Sequence, residues 1–173
     1  MRRVSERERP SACIYLVPTR GSSPGRRFRL NRLRCTPIPD QSPPDKRVLL
    51  VDDDSEVRAA TAEMLRYAGH DVIEAASGRE GLDRLDREGD RVDLMIVDYV
   101  MPGMNGLEAA RLGRLRRPGL PILFVTGFAD TAVLAAETTP DHILRKPFTV
   151  ADLVLKIGAV LRIASTHLRR GRS

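Results

Sequence analysis

Tryptophan is absent from the 173-residue sequence, and aromatic residues amount to only 4%. The two cysteines, Cys13 and Cys35, form no Cys-x-x-Cys pair. The three histidines, His70, His142 and His167, are scattered, so neither a zinc site nor a phosphodonor histidine on an exposed helix face is indicated. No apolar run approaches the ~18 residues a membrane helix needs, and the run from Ala12 to Val17 is too short for a signal peptide. A soluble cytoplasmic protein with no membrane partner is the expectation. No Gly-x-Gly-x-x-Gly follows the first strand candidate, which argues against a dinucleotide-binding module.

What is present is charge, unevenly distributed. The formal net charge is +6, yet residues 1–44 hold ten Arg against Glu6, Glu8 and Asp40, whereas residues 45–173 hold 19 Lys and Arg against 20 Asp and Glu. The basicity therefore belongs to a leader rich in Arg, Pro, Ser and Gly, which ends in the stretch Thr36-Pro37-Ile38-Pro39-Asp40-Gln41-Ser42-Pro43-Pro44. With no sustained period it is expected to be disordered. Beyond Tyr15 and Phe28 it lacks the interleaved aromatics of a nucleic-acid arm, so nucleic acid is not an expected partner. The organisation expected is a leader at 1–44, one folded domain at 45–164 and a basic tail at 165–173.

From Asp45 onward, short β-type apolar runs alternate with amphipathic helical segments. The strand candidates are 47–51, 71–75, 92–97, 121–125 and 142–144. Ser77-Gly78-Arg79-Glu80 and Thr149-Val150-Ala151-Asp152 have capping-box spacing, and Gly69 and Gly89 read as helix stops. A third helix is predicted over 106–115 and a short fourth between Asp130 and Glu137. Strand runs such as Val48-Leu49-Leu50-Val51 and Leu94-Met95-Ile96-Val97 are apolar throughout, as parallel strands covered on both faces must be. Five βα units joined by right-handed crossovers give an α/β fold with a doubly wound five-stranded parallel sheet.

Ligands of such sheets bind beyond the carboxyl ends of the strands. Those ends carry Asp52-Asp53-Asp54, Asp98, Thr126 and Lys146, so four strands deliver carboxylates, a hydroxyl and an ammonium to one rim. Three carboxylates brought together require a cation, and oxygen-only ligands suit Mg²⁺. Phosphoryl transfer needs positioning and neutralisation of charge on the equatorial oxygens. Mg²⁺, Lys146 and Thr126 would each hold one oxygen, with Asp98 as the nucleophile that forms an acyl phosphate. Asp54 is left over and is expected to cap the first helix.

The residues from about Lys46 to Ile163 resemble the receiver domain of two-component systems, the CheY-like family with a flavodoxin-like (βα)5 fold. The resemblance rests on Asp52-Asp53 after the first strand, Asp98-Tyr99-Val100-Met101-Pro102-Gly103-Met104-Asn105-Gly106, Val125-Thr126-Gly127 and Arg145-Lys146-Pro147-Phe148, in the family's order. It implies that Asp53 and Asp98 ligate the metal directly, that Asp52 acts through water, and that the Val100 carbonyl is a further ligand. It also implies a cis bond at Lys146-Pro147. The implied donor is a histidine kinase or histidine phosphotransfer protein, the output is docking to a downstream protein, and a phosphorylation-dependent homodimer is an open alternative.

Two departures stand out. Ile143 occupies the position three before the lysine where many receivers carry an aromatic switch residue, and the compact interval from Thr126 to Lys146 suggests a reduced fourth helix. The residues after Ile163 are too few for an output domain, which suggests a stand-alone single-domain regulator rather than an enzyme; a receiver serving a hybrid histidine kinase system is the alternative. A haloacid-dehalogenase-like phosphatase, the main rival, needs an acidic pair after its lysine, and only Asp152 follows Lys146.

The resemblance also places Val100 and Phe128 beside the approach of a hydrolytic water to the acyl phosphate. Neither side chain can hydrogen-bond that water, so self-dephosphorylation is expected to be slow. Val100→Asn combined with Phe128→Glu should accelerate it, as measured by decay of the phosphorylated protein after donor removal. Fast decay in the parent, or equal decay in the double variant, would refute this.

Overall fold

The computed structural model describes residues 12–18, 28–34, 46–127 and 131–170. Strand β1 (Ala12–Pro18) pairs antiparallel with β2 (Phe28–Arg34), Ala12 opposite Arg34 and Pro18 opposite Phe28. The leader was expected to be disordered; two short stretches of it form this ribbon, and its other residues lie outside the described ones. Its origin is local: Ile14-Tyr15-Leu16-Val17 are β-branched, aromatic and apolar residues that favour an extended chain.

The main sheet is parallel, with strand order β4-β3-β5-β6-β7. Its strands are β3 (Arg47–Val51), β4 (Asp71–Ala75), β5 (Leu94–Asp98), β6 (Ile122–Thr126) and β7 (Ile143–Arg145). The helices between them are α1 (Ser55–Tyr67), α2 (Gly78–Glu88), α3 (Gly106–Arg116), α4 (Thr131–Glu137) and α5 (Val150–Arg170). This is the expected doubly wound five-stranded α/β fold.

Alternation along each strand sends successive side chains to opposite faces. Val48, Leu50, Leu94, Ile96, Leu123 and Val125 pack with Met64 and Leu65 of α1 and with Leu153, Ile157 and Val160 of α5. Leu49, Val51, Met95, Val97, Ile122 and Phe124 pack on the other face with Leu85 of α2, Ala109 and Ala110 of α3 and Leu134 of α4. The sheet is thus buried on both sides, which is why its strands read as unbroken apolar runs.

Helix ends follow the residues expected of them. Asp54 caps α1, its Oδ1 accepting from the amides of Glu56 and Val57. Thr149 and Asp152 satisfy one another's amides at the start of α5. Gly69 and Gly89 take positive φ just after α1 and α2, where a side chain would be strained. The fourth helix is short, seven residues. Helix α5 continues to Arg170, past Ala164 where the domain was expected to end. No Gly or Pro intervenes between Ala164 and Gly171.

Among the residues whose side chains are described, both apolar clusters are built from positions between Val48 and Leu161. Removal of residues 1–44 is therefore expected to shift the melting temperature by less than ~5 °C, about 1 kcal/mol in a domain of this size. A larger drop in a thermal melt would show that the leader contributes to the core.

Candidate functional site

The site forms where β3, β5, β6 and β7 end on one rim. Pairing in register places Val51 beside Val97, Asp98 beside Val125, and Thr126 beside Arg145. The next residue after each strand is therefore carried to the same edge, and two main-chain bonds fix that edge further. The Tyr99 amide donates to the Val125 carbonyl at 2.8 Å, and the Lys146 amide donates to the Thr126 carbonyl at 2.8 Å.

Carboxylate oxygens of Asp52, Asp53 and Asp98 lie within 4.8 Å of one another. The Lys146 Nζ reaches between two of them, 3.1 Å from Asp52 Oδ2 and 3.3 Å from Asp98 Oδ2. These three side chains are nearly inaccessible, with 9% of Lys146, 4% of Asp52 and 12% of Asp98 exposed, so their interaction is weakly screened. Asp52 Oδ1 accepts from the Asp54 amide at 3.0 Å, which locks its rotamer. Asp53 is exposed.

Burial pushes the Asp98 carboxyl up to about 6, an effect that Asp52 reinforces and Lys146 only partly offsets. Asp52 is likewise raised, chiefly by burial, against the pull of Lys146. Burial disfavours the Lys146 ammonium too, but the two carboxylates outweigh it and hold Lys146 above its ordinary range. Three carboxylates against one ammonium leave the cluster with net negative charge and free oxygen lone pairs. That donor set, all oxygen and with one open side, fits a hard divalent cation such as Mg²⁺.

Thr126 is fully buried at the end of β6, its hydroxyl 3.3 Å from the Gly127 carbonyl. Val100, two residues past Asp98, exposes 57% of its surface at the rim. Phe128 lies outside the described residues. Lys146-Pro147 is cis, as expected from the resemblance. Ile143 is buried in the apolar cluster under β6. Asp152, the only acid after Lys146, is bonded to Thr149 as part of the α5 cap and joins no acidic pair.

Sequence reasoning overlooked two supports. Gly106 packs so closely on β5 that a Cβ there would run into the Asp98 carbonyl oxygen and the Tyr99 backbone. Asn105 caps α3 by accepting from the Glu108 amide at 2.9 Å, which starts that helix directly beneath the Asp98 loop. The Asn-Gly pair carried the signal, since Asn favours N-caps and Gly permits close approach.

Residues 48–158 match the family model described as the response regulator receiver domain. The response regulator receiver protein CpdR of Brucella abortus is 37% identical over 118 residues, covering 67% of this chain and 97% of that protein. The transcriptional regulatory protein CpxR of Escherichia coli is also 37% identical over 118 residues, but the chain spans only 49% of its length. Among solved structures, a response regulator receiver domain protein from Clostridium thermocellum aligns with a TM-score of 0.64 at 28% identity, covering 70% of this chain and 98% of that one.

The raised Asp98 carboxyl has a consequence for stability. Its folded value, about 6, exceeds the ordinary 3.8, so the folded state binds the extra proton and this group's contribution is lost as pH rises through that window. Asp98→Asn mimics the neutral form. In metal-free protein it should be more stable than the parent by about 2 kcal/mol at pH 7.5, the gain shrinking between pH 6 and pH 4. Denaturant melts in chelator check this; an equal or lower stability of the variant at pH 7.5 would contradict it.

Proposed function

The chain belongs to the response regulator receiver family, and on that premise we propose that Asp98 accepts a phosphoryl group from the phosphohistidine of a histidine kinase or phosphotransfer protein. The observation that carries the proposal is the pairing of Asp98 with Lys146 inside a three-carboxylate cluster. An Asp98 oxygen attacks phosphorus, the phosphorus–nitrogen bond to the donor imidazole breaks, and an aspartyl phosphate forms.

Lys146 already sits within ion-pair distance of the nucleophile. On transfer its ammonium would exchange the carboxylate for a phosphoryl oxygen, acting as a point charge on a nearly buried stem. The Thr126 hydroxyl would turn from the Gly127 carbonyl to donate to a second oxygen. Asp53, Asp98 and the Val100 carbonyl would hold Mg²⁺, with Asp52 acting through water. When bound, the metal would supply charge neutralisation at the transferring group. Phosphoryl chemistry needs little else from the protein, because positioning and electrostatics supply most of the rate.

The chain would then signal rather than process a substrate: the aspartyl phosphate changes what the domain docks to. A single-domain regulator of a downstream protein is the form we infer, supported by the match across 97% of CpdR. A receiver serving a hybrid histidine kinase system is the alternative, separable by phosphotransfer profiling against candidate kinases.

A small phosphodonor such as acetyl phosphate is expected to label the protein only when Mg²⁺ is present, and Asp98→Asn should abolish labelling. Lys146→Ala and Thr126→Ala should each slow it by ten-fold or more, about 1.4 kcal/mol or above in barrier. Labelling of Asp98→Asn, or labelling undiminished in excess chelator, would overturn the assignment.

A further inference from the structure

Arg58 takes no part in the chemistry above, yet it is wired into the turn that carries the acidic pair. It lies in α1 with only 17% of its side chain exposed. Its Nη1 donates to the Asp52 main-chain carbonyl at 2.6 Å. Its Nε lies 3.8 Å from Glu74 Oε2 on β4, and the other oxygen of Glu74 accepts from Arg66 at 2.8 Å. The guanidinium therefore spans from the Asp52-Asp53 peptide to the neighbouring strand, and Glu74 is itself held from a second side.

Three amides around this turn are bonded too. The Asp52 amide donates to the Ala75 carbonyl at 3.2 Å, and the Arg58 amide to the Asp54 carbonyl at 2.8 Å. The Asp54 amide is held by Asp52 Oδ1. Among the described residues, the Asp53 carboxylate has no such bond, so it is aimed only by the peptide from which it hangs. That peptide contains the carbonyl that Arg58 grips.

We propose that Arg58 is a positioning residue for the metal site: by tying the Asp52 carbonyl to Glu74 it fixes the Asp52-Asp53 peptide and so aims the Asp53 carboxylate at the cation. The inference rests on the reading of the cluster as a Mg²⁺ site. It makes a prediction whose sign is unusual. A guanidinium beside a cation site is repulsive, so on charge alone its removal would tighten Mg²⁺ binding. Loss of positioning acts in the opposite direction, and supporting groups behind metal ligands commonly govern affinity.

The test is Mg²⁺ titration by calorimetry on the full chain, alongside amide hydrogen exchange of the metal-free protein. Arg58→Ala should weaken Mg²⁺ binding by about 10-fold and speed exchange at the Asp54 amide, while Arg58→Lys, with one compact donor group, recovers part of both. Tighter or unchanged binding in Arg58→Ala would overturn the proposal, as would unchanged exchange at the Asp54 amide. If Arg58→Ala does not fold, Glu74→Gln gives the exchange readout, and unchanged protection there would count against the clasp. A parent protein that fails to bind Mg²⁺ would instead remove the metal reading, leaving the exchange measurement to decide the role of Arg58 in the turn.

Discussion

Three carboxylates whose oxygens lie within 4.8 Å of one another, two of them almost shut off from water, would repel strongly without a counter-charge. In this protein the counter-charge is Lys146, bridging Asp52 and Asp98 from the end of β7. The interaction binds together residues 94 positions apart in the chain and joins an inner strand to an edge strand. It also leaves the cluster under-neutralised, with Asp98 raised to about 6 by burial. A site left in that condition gains from any further cation. The receptivity of the site is thus a property of its electrostatics before any ligand arrives.

The scaffold makes such a cluster tolerable. Its cost is borne by two apolar layers, one containing α1 and α5 and the other α2, α3 and α4, which hold the strands while only their ends carry charge. The functional groups are the last residue of a strand or stand one or two residues past its end, so their spacing is set by the sheet register rather than by loop conformation. Close approach does the rest: Gly106 lets α3 begin against the Asp98 backbone, where any side chain would intrude.

Much of this was legible from the sequence because local signals and the global fold agree. Strands at 47–51 and 71–75 stand where the apolar runs and their polar boundaries placed them, whereas β5, β6 and β7 lie one or two residues later than read. Their shift has one cause: the strands extend through Asp98, Thr126 and Arg145, polar residues that hydropathy alone assigns to loops but that the parallel ladder retains. The site residues Asp52, Asp53, Asp98, Thr126 and Lys146 were legible as strand-end residues. What was not legible depends on tertiary approach. The reach of Arg58 to the Asp52 carbonyl, the Arg47 pairs with Asp71 and Glu88, and the crowding at Gly106 join residues whose proximity no periodicity encodes. The β1–β2 ribbon was missed for another reason, since the Arg, Pro and Gly around it masked two short β-favouring runs.

The two edges of the main sheet carry a further consequence. β7 offers an edge of only three residues, closed immediately by Lys146 and Pro147. At the opposite edge, β4 carries Asp71 and Glu74, which are engaged with Arg47 and Arg66. Neither edge is a good template for strand addition, because one is too short and the other presents ionised side chains that resist a flat apolar neighbour. Association of this domain with any other protein, itself included, is therefore directed to side chains on helices and rim turns rather than to growth of the sheet. The same edges protect the domain from the irreversible pairing that open sheets invite.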